Sequence, residues 1–200
     1  MRSFKKNEKI VGIDEVGRGP LAGPVAVGVV LASECSVRRI KKSIFFTDSK
    51  KMKHTDREKV FEKVDREKGK INYVVSFVSA ERIDRIGINP AIYEAVKRSL
   101  QKLGIKKDVK IFLDGGLKAP RGFSSQKAVK GGDATEDIIS LASVLAKVKR
   151  DRRMIRYDKV YSGYGFSLNK GYGTKKHIET IKEKGITGIH RKSFLKNILS

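Results

Sequence analysis

Residues 9–25 read Lys9-Ile-Val-Gly-Ile-Asp14-Glu15-Val-Gly17-Arg18-Gly19-Pro-Leu-Ala-Gly-Pro-Val25, and this segment predicts how the sheet begins. Its apolar start, residues 9–13, predicts a buried strand that ends at Asp14. The glycine- and proline-rich segment 17–24 is typical of a turn. A β-branched run at 25–31 follows, so we expect a second strand that pairs with the first as a hairpin.

The rest of the chain predicts an α/β fold. The expected strands after the hairpin are 72–79, 109–113 and 127–129. The expected helices are 55–66, opened by a Thr55–Glu58 capping box, 89–103, stopped by Gly104, 138–148 and 175–184. Early strands followed by alternating strands and helices predict a mixed five-stranded sheet flanked by helices. Because apolar density falls beyond residue 156, we divide the chain into a catalytic domain, 1–156, and a C-terminal helical extension, 157–200.

The charge balance points to a polyanionic partner. The 200 residues include 45 Lys and Arg against 22 Asp and Glu, a net charge of +23, and the excess is spread along the chain. A basic working face for nucleic acid is the favoured interpretation. The alternative is a lysine-rich surface that serves only solubility.

Several other classes are disfavoured. The longest apolar run, residues 24–32, is too short to span a membrane, and residues 1–6 contain no apolar segment of a secretory signal. A single cysteine excludes an internal disulfide framework, and with three scattered histidines it argues against a Cys/His zinc site. We therefore expect a cytoplasmic protein, without a membrane partner, that acts as a monomer.

Four acidic residues stand at the ends of predicted elements: Asp14 and Glu15 after the first strand, Asp114 after the fourth, and Asp133 before a helix. Carboxylate oxygens are the ligands that Mg²⁺ prefers, and paired ions suit phosphodiester hydrolysis. In a basic chain, this pattern favours a site that holds cations over a polyanion.

Each of the four acids also has a simpler interpretation. Asp133 begins an Asp-Ala-Thr-Glu capping box, so it could merely start a helix. Neighbouring strand residues face opposite sides of a sheet, so Asp14 and Glu15 share one site only if the strand ends or bends there. Asp137 is the alternative to Asp133 as fourth carboxylate.

Other chemistries lack their motifs. The glycines at 17, 19 and 23 do not form a dinucleotide loop, and no phosphate-binding G-x-x-x-x-G-K-[ST] sequence occurs. Ser140 and Ser143 lie on one helix face without a nearby histidine to activate them.

At the acidic residues the chain resembles the ribonuclease HII family. The resemblance runs through nearly the whole chain and rests on eight blocks in family order. The blocks are 12–25 around Asp14, 47–51 (Thr-Asp-Ser-Lys-Lys), 83–89 ending at Asn89, 112–115 around Asp114, 130–133 ending at Asp133, 140–151 with Ser143 and Lys147, 170–177 with Tyr172, and 190–194 (His-Arg-Lys-Ser-Phe).

The resemblance implies a fold, an activity and a set of site residues. It implies an RNase H-like fold, use of two divalent ions, Mg²⁺ or Mn²⁺, and cleavage of RNA–DNA hybrids and of duplex DNA that contains single ribonucleotides. By position, Asp14, Glu15, Asp114 and Asp133 are the catalytic metal ligands. Gly17, Arg18 and Gly19 match the segment that reads the ribose 2′-OH, and Tyr172 matches the tyrosine that stacks at the RNA–DNA junction. Lys50, Asn89, Ser143 and Lys147 are the further expected substrate contacts.

Three competing identities remain at this point. The sister family, ribonuclease HIII, usually has Lys where Arg18 stands and carries an extra N-terminal domain; only about eight residues precede the first strand here, which favours HII. A non-catalytic nucleic-acid-binding module explains the charge but not the acids. Another RNase H-like nuclease, such as a resolvase or transposase core, would prefer DNA.

Overall fold

The computed structural model describes residues 8–199. Residues 1–6, where no secretory signal is expected, lie outside this range. Five strands form one sheet in the order β3-β2-β1-β4-β5. They are β1 (Lys9–Val16), β2 (Val25–Ser33), β3 (Ile71–Val78), β4 (Lys110–Asp114) and β5 (Gln126–Val129). The predicted hairpin is confirmed, because β1 and β2 pair antiparallel.

The sheet is mixed, as predicted. β3 pairs antiparallel with β2, whereas β4 lies parallel to both β1 and β5. The described helices are α1 (Glu34–Ser43), α2 (His54–Arg66), α3 (Ala80–Ile86), α4 (Ile88–Lys102), α5 (Gly132–Thr135), α6 (Asp137–Val160), α7 (Phe166–Asn169), α8 (Lys175–Lys184) and α9 (Lys196–Leu199), with a 3₁₀ helix at Lys192–Phe194.

Three apolar clusters hold these layers together. On one face of the sheet, α1, α2 and α6 enclose Val37, Val60 and Leu145 with their neighbours. On the other face, α3 and α4 pack on the strands around Ile83 and Val96. A third cluster joins the C-terminal segment to residues 21 and 22 of the loop between β1 and β2.

The structure corrects several predicted boundaries. β1 does not end at Asp14 but continues to Val16, because β2 keeps pairing with it to that point. The predicted Thr55 cap is wrong: α2 starts earlier, with Lys53 at its N-cap and no side-chain cap. The helix predicted at 138–148 continues to Val160, through the expected domain boundary at 156/157.

Two helices were not predicted because their sequences are mostly polar. α1 and α3 were not predicted, although Ser33 and Ser79 cap them through their side chains. Charged residues occupy most of the exposed face of α6 beyond Val148, so the apolar spacing there is sparse. By contrast, α8 has its predicted bounds, since Thr174 caps it and Gly185 ends it.

Candidate active site

Two neighbouring parallel strands bring Asp14 and Asp114 together. Ile13 of β1 is the register partner of Leu113 of β4. Asp14 and Asp114 each follow these partners by one residue, so they stand side by side at the carboxyl end of the sheet. The strand order therefore unites two acids that lie 100 positions apart in the sequence.

Glycines let helix α6 lie close to Asp14. A Cβ atom on Gly12 would lie 2.3 Å from the carbonyl oxygen of Ile138, and one on Gly28, the cross-strand partner of Asp14, 2.4 Å from that of Ala142. α6 thus covers the face of the sheet from which Asp14 projects, and Asp14 is only 4% exposed. The Ser143 hydroxyl hydrogen-bonds the Asp14 carboxylate from this helix.

Asp133 reaches the same place through the backbone. The Oδ1 atom of Asp114 accepts hydrogen bonds from the N–H groups of Gly132, at 2.7 Å, and Asp133, at 3.3 Å. Neither α5 nor α6 has a side-chain cap, so Asp133 does not serve as a helix cap. Asp114 thereby anchors the segment that carries Asp133.

The structure does not favour Asp137 as an alternative ligand. Asp137 forms an ion pair with Lys41 and lines a separate cavity with Glu34 and Arg38. Asp133, in contrast, has the ammonium group of Lys50 at 3.6 Å from its Oδ2 atom.

Glu15 lies near Asp114 and beside Arg18. Its carboxylate lies 3.4 Å from the guanidinium of Arg18, whose other end bonds the Asn89 side chain. Glu15 lines two cavities, one of about 590 Å³ shared with Tyr172 and one of about 710 Å³ shared with Asn89 and Tyr93. Glu15 and Arg18 therefore stand between the two cavities.

Burial and repulsion between neighbouring carboxylates raise the pKa values of Asp14 and Glu15. Burial, supported by the nearby charges of Glu15 and Asp114, raises the pKa of Asp14 to about 8, although the Ser143 bond works against the rise. Burial and the charge of Asp114 also raise the pKa of Glu15, against the attraction of Arg18. Burial lowers the pKa of Lys50, but the acids around it, chiefly Asp133, raise it overall.

Among residues 8–199, the His, Cys, Asp and Glu side chains form no group of three or more arranged to hold a metal ion. The chemistry of the donors nevertheless fits a hard divalent cation, because Asp14, Glu15, Asp114 and Asp133 offer only carboxylate oxygens. The raised pKa of Asp14 shows that its negative charge is costly without a cationic partner. The four-residue metal site stays a prediction.

Two buried arginines shape the loop that contains Gly17, Arg18 and Gly19. Arg191 donates to the carbonyl oxygens of Gly17 at 2.7 Å, Arg18 at 2.8 Å and Gly23 at 3.0 Å. Arg150 lies beneath Gly17, where any Cβ atom would meet its Nε at 2.1 Å, and Gly17 has a φ of +89°. Of the residues that the structure describes, none has an atom within 4 Å of a Cβ placed on Gly19, so the loop is open on that side.

Arg150 also connects the loop that contains Gly17, Arg18 and Gly19 to Tyr172. Arg150 donates to the carbonyl oxygens of Pro24 and Lys170, and its Cζ atom lies 5.9 Å from the Tyr172 ring centroid. Gly171 accepts hydrogen bonds from the N–H groups of Leu21 and Ala22. Tyr172, 42% exposed, therefore faces the cavity next to the glycine loop.

The structure gathers most of the predicted substrate residues. The 590 Å³ cavity is lined by Gly17, Arg18, Gly19, Lys50, Ser143, Lys147 and Tyr172, among others. Asn89 lies instead in the adjoining cavity and reaches the site through Arg18. Lys147 pairs with Asp151 at 2.8 Å, and burial lowers its pKa despite that partner.

Arg150 and Arg191 were missed as individual site residues. The sequence held one signal for Arg150: Lys147 follows Ser143 by four residues and Arg150 follows Lys147 by three, which places all three on one helix face. No comparable spacing marks Arg191, because it lies in the C-terminal segment and reaches the loop only through the fold.

Comparisons with known proteins identify one family. The Ribonuclease HII family model matches residues 11–197. The chain is 44% identical to Ribonuclease HII of Caldicellulosiruptor bescii over 96% of its own length and 88% of the relative. It is 41% identical to that of Lachnoclostridium phytofermentans over 99% of its length and 74% of the relative.

Solved structures place the fold in the same group. The ribonuclease H2 from Pyrococcus horikoshii OT3 superposes with a TM-score of 0.74 at 27% identity, covering 96% of this chain and 97% of that one. In the part of the chain that the structure describes, no helix is long and apolar enough to cross a membrane. Matched over nearly its whole length by the family and by these relatives, the chain belongs to the ribonuclease HII family.

Proposed function

We propose that this ribonuclease H cleaves the RNA strand of RNA–DNA hybrids and incises duplex DNA on the 5′ side of a single ribonucleotide, leaving a 3′-OH and a 5′-phosphate. The observation that carries the proposal is the placement of the acids beside the glycine loop. Asp14 and Asp114 meet at the ends of β1 and β4, and the neighbouring Glu15 lines one cavity with Gly17, Gly19 and Tyr172.

In this proposal, Asp14, Glu15, Asp114 and Asp133 hold two divalent ions, Mg²⁺ or Mn²⁺. When bound, such ions supply an activated water and stabilise the leaving 3′-oxygen. The chain's own part is to fix the acids: α6 buries Asp14, and the N–H groups of Gly132 and Asp133 orient Asp114. Ser143, predicted as a substrate contact, lines the cavity and also bonds the Asp14 carboxylate, so in this proposal it serves to orient that ligand as well.

Recognition of ribose is assigned to the glycine loop and to Tyr172. The 2′-OH is the group that distinguishes RNA from DNA, so selectivity requires hydrogen bonds to it. Gly19 leaves the backbone of the loop open to a sugar, and Arg191 fixes the orientation of its carbonyls. The Tyr172 ring, half exposed and backed by Arg150, is suited to stack at the junction.

Phosphate contacts are assigned to the basic residues around the cavity. Lys50 and Lys147 line it, and Arg18 separates it from the cavity that contains Asn89. Lys50 is the most exposed of the three, so we assign it to the nucleic-acid backbone once Asp133 binds an ion.

The decisive experiment uses three labelled duplexes: one all-DNA strand, one with a single ribonucleotide, and one RNA strand paired with DNA. With Mg²⁺, we expect cleavage of the last two and none of the all-DNA duplex, and EDTA should stop the reaction. Cleavage of the all-DNA duplex at a comparable rate would overturn the proposal in favour of a DNA nuclease. Binding of all three duplexes without cleavage would reduce the protein to a nucleic-acid-binding module.

A further inference from the structure

Two buried histidines form a hydrogen-bonded chain that ends at Tyr172. The Nε2 atoms of His177 and His190 lie 3.1 Å apart, and the two residues are 0% and 2% exposed. The Nδ1 atom of His177 lies 2.8 Å from the Tyr172 carbonyl oxygen, and the backbone N–H of Thr187 donates to Nδ1 of His190 at 2.8 Å. The rings pack against Tyr164 and Phe166.

The partners at the two ends of this chain determine where every proton lies. A carbonyl oxygen only accepts, so Nδ1 of His177 carries a proton and donates to Tyr172. A backbone N–H only donates, so Nδ1 of His190 is unprotonated and its proton lies on Nε2. The His190 Nε2–H therefore donates to the bare Nε2 of His177, and both rings are neutral.

His190 also belongs to the segment that holds the glycine loop. Its neighbour Arg191 bonds the carbonyls of Gly17 and Arg18, and His190 itself forms a β-bridge with Ala22. His190 is thus linked to Tyr172 through His177, and its neighbour Arg191 bonds the glycine loop directly. Together the two consecutive residues contact both parts of the ribose-recognition site.

We propose that the His177–His190 pair is a positioning device that sets the placement of Tyr172 relative to the glycine loop, and so sets selectivity for a single ribonucleotide in DNA. This inference rests on the proposed function, since it assigns the pair a role in the same site. Neither histidine faces the cavity, so neither is a catalytic residue.

The test compares His177→Leu with His177→Asn, two side chains of nearly equal size. Asn offers an N–H at the position of Nδ1 and should keep the bond to the Tyr172 carbonyl, whereas Leu removes it. We expect Leu to lower incision at a single ribonucleotide by about 10-fold or more, with a much smaller loss on a uniform RNA–DNA hybrid that has no junction. The Asn variant should restore most of the incision.

A control variant and a double variant separate positioning from general destabilisation. Tyr164→Phe removes a hydrogen bond to Gly185 in the same cluster but leaves the histidine pair, so the ratio between the two substrates should not change. In a Tyr172→Ala background, His177→Leu should have no further effect on incision. Equal losses on both substrates, or additive losses in the double variant, would overturn the positioning role.

NMR gives a measurement that does not depend on activity. Imidazole ¹⁵N spectra at neutral pH should show His177 protonated at Nδ1 and His190 at Nε2. The ring resonances of Tyr172 should move in His177→Leu and stay near their wild-type values in His177→Asn. Unmoved Tyr172 resonances in the Leu variant would contradict the inference even if the wild type proved inactive, an outcome that would refute the proposed function separately.

Discussion

The two halves of the candidate site differ in how their buried charges are compensated. At the acidic end, defined by Asp14, Glu15, Asp114 and Asp133, like charges crowd together and burial makes ionisation costly. At the recognition clamp, defined by Arg150, His177, His190 and Arg191, burial also lowers the pKa of Arg191, but the side chains are hydrogen-bonded to backbone carbonyls, to the Thr187 N–H or to a neighbouring ring.

This difference separates two ways of preparing a site. Unbalanced carboxylates store affinity for cations at the expense of stability, because removing them from water is costly until a counter-charge binds. A network of satisfied donors adds stability and fixes the backbone, but it has little free capacity for chemistry. The acidic end is therefore expected to control turnover and the clamp to control geometry.

The largest expected effect is on turnover at the acidic end. Asp114→Asn keeps the side-chain size and an oxygen to accept from Gly132, but removes one negative charge. We expect cleavage of both RNA-containing substrates to fall by about 10³-fold or more, from the scale of effects at charge-stabilising groups. Circular dichroism and hybrid binding should stay close to wild type; substantial remaining cleavage would remove Asp114 from the metal ligands.

The next largest effect is on stability at the clamp. Arg191→Met removes the donors to three buried carbonyl oxygens, so we expect a loss of about 4 kcal/mol in the free energy of unfolding. Arg38→Met is the matched control, because Arg38 is exposed and pairs with Glu34 on the helix surface; it should cost less than about 0.5 kcal/mol. Urea unfolding of both variants decides the point, and equal midpoints would show that the clamp does not stabilise the loop.

A third prediction concerns the dependence of stability on pH, which should have opposite signs at the acidic end and at the clamp. The pKa of Asp14 is raised from 3.8 to about 8, so the folded state binds this proton more tightly than the unfolded chain does. Stability is therefore lost as the pH rises from about 4 through 8, and Asp14→Asn should remove that loss. In EDTA at pH 9 we expect the variant to be more stable than wild type by about 2 kcal/mol, allowing for relaxation of the site.

The pH supplies the control for this experiment. At pH 4 the folded forms of both proteins carry an uncharged side chain at position 14, so their unfolding temperatures should differ little. A variant less stable than wild type at pH 9 would mean that the Asp14 carboxylate is stabilised by its surroundings, contrary to its burial beside Asp114.

The same contrast explains what the sequence could and could not predict. The apolar runs before Asp14 and Asp114 predicted both acids at strand ends, and although β1 continues two residues past Asp14, its parallel pairing with β4 makes the two acids neighbours. The clamp was harder to predict from the sequence. Arg191 bonds carbonyl oxygens of residues 168 to 174 positions away, and every residue has a carbonyl oxygen, so no residue type marks the contact. The caps of α1 and α3 show a further limit: serine caps are common, and the helices after them are too polar or too short to be noticed.

The change in stability that we expect to be smallest is that of the clamp at acidic pH. Burial first, and then the neighbouring His177, lower the pKa of His190 to about 4. Its contribution to stability is therefore fully present above pH 6.5 and is lost as the pH falls towards 4, opposite in sign to that of Asp14. Within residues 8–199, the ring contacts and hydrogen bonds of His190 involve Tyr164, Phe166, His177 and Thr187.

Measurement of this small effect requires the Asp14→Asn background, where the opposing term is absent. There we expect stability to fall by about 1 kcal/mol between pH 7 and pH 5, and by less when His190→Asn is added, because Asn keeps an acceptor for Thr187 but cannot be protonated. Equal slopes with and without His190 would mean that the pair tolerates a proton. The recognition clamp would then be a softer structure than its hydrogen bonds indicate, and the contrast with the acidic end would rest on Arg150 and Arg191 alone.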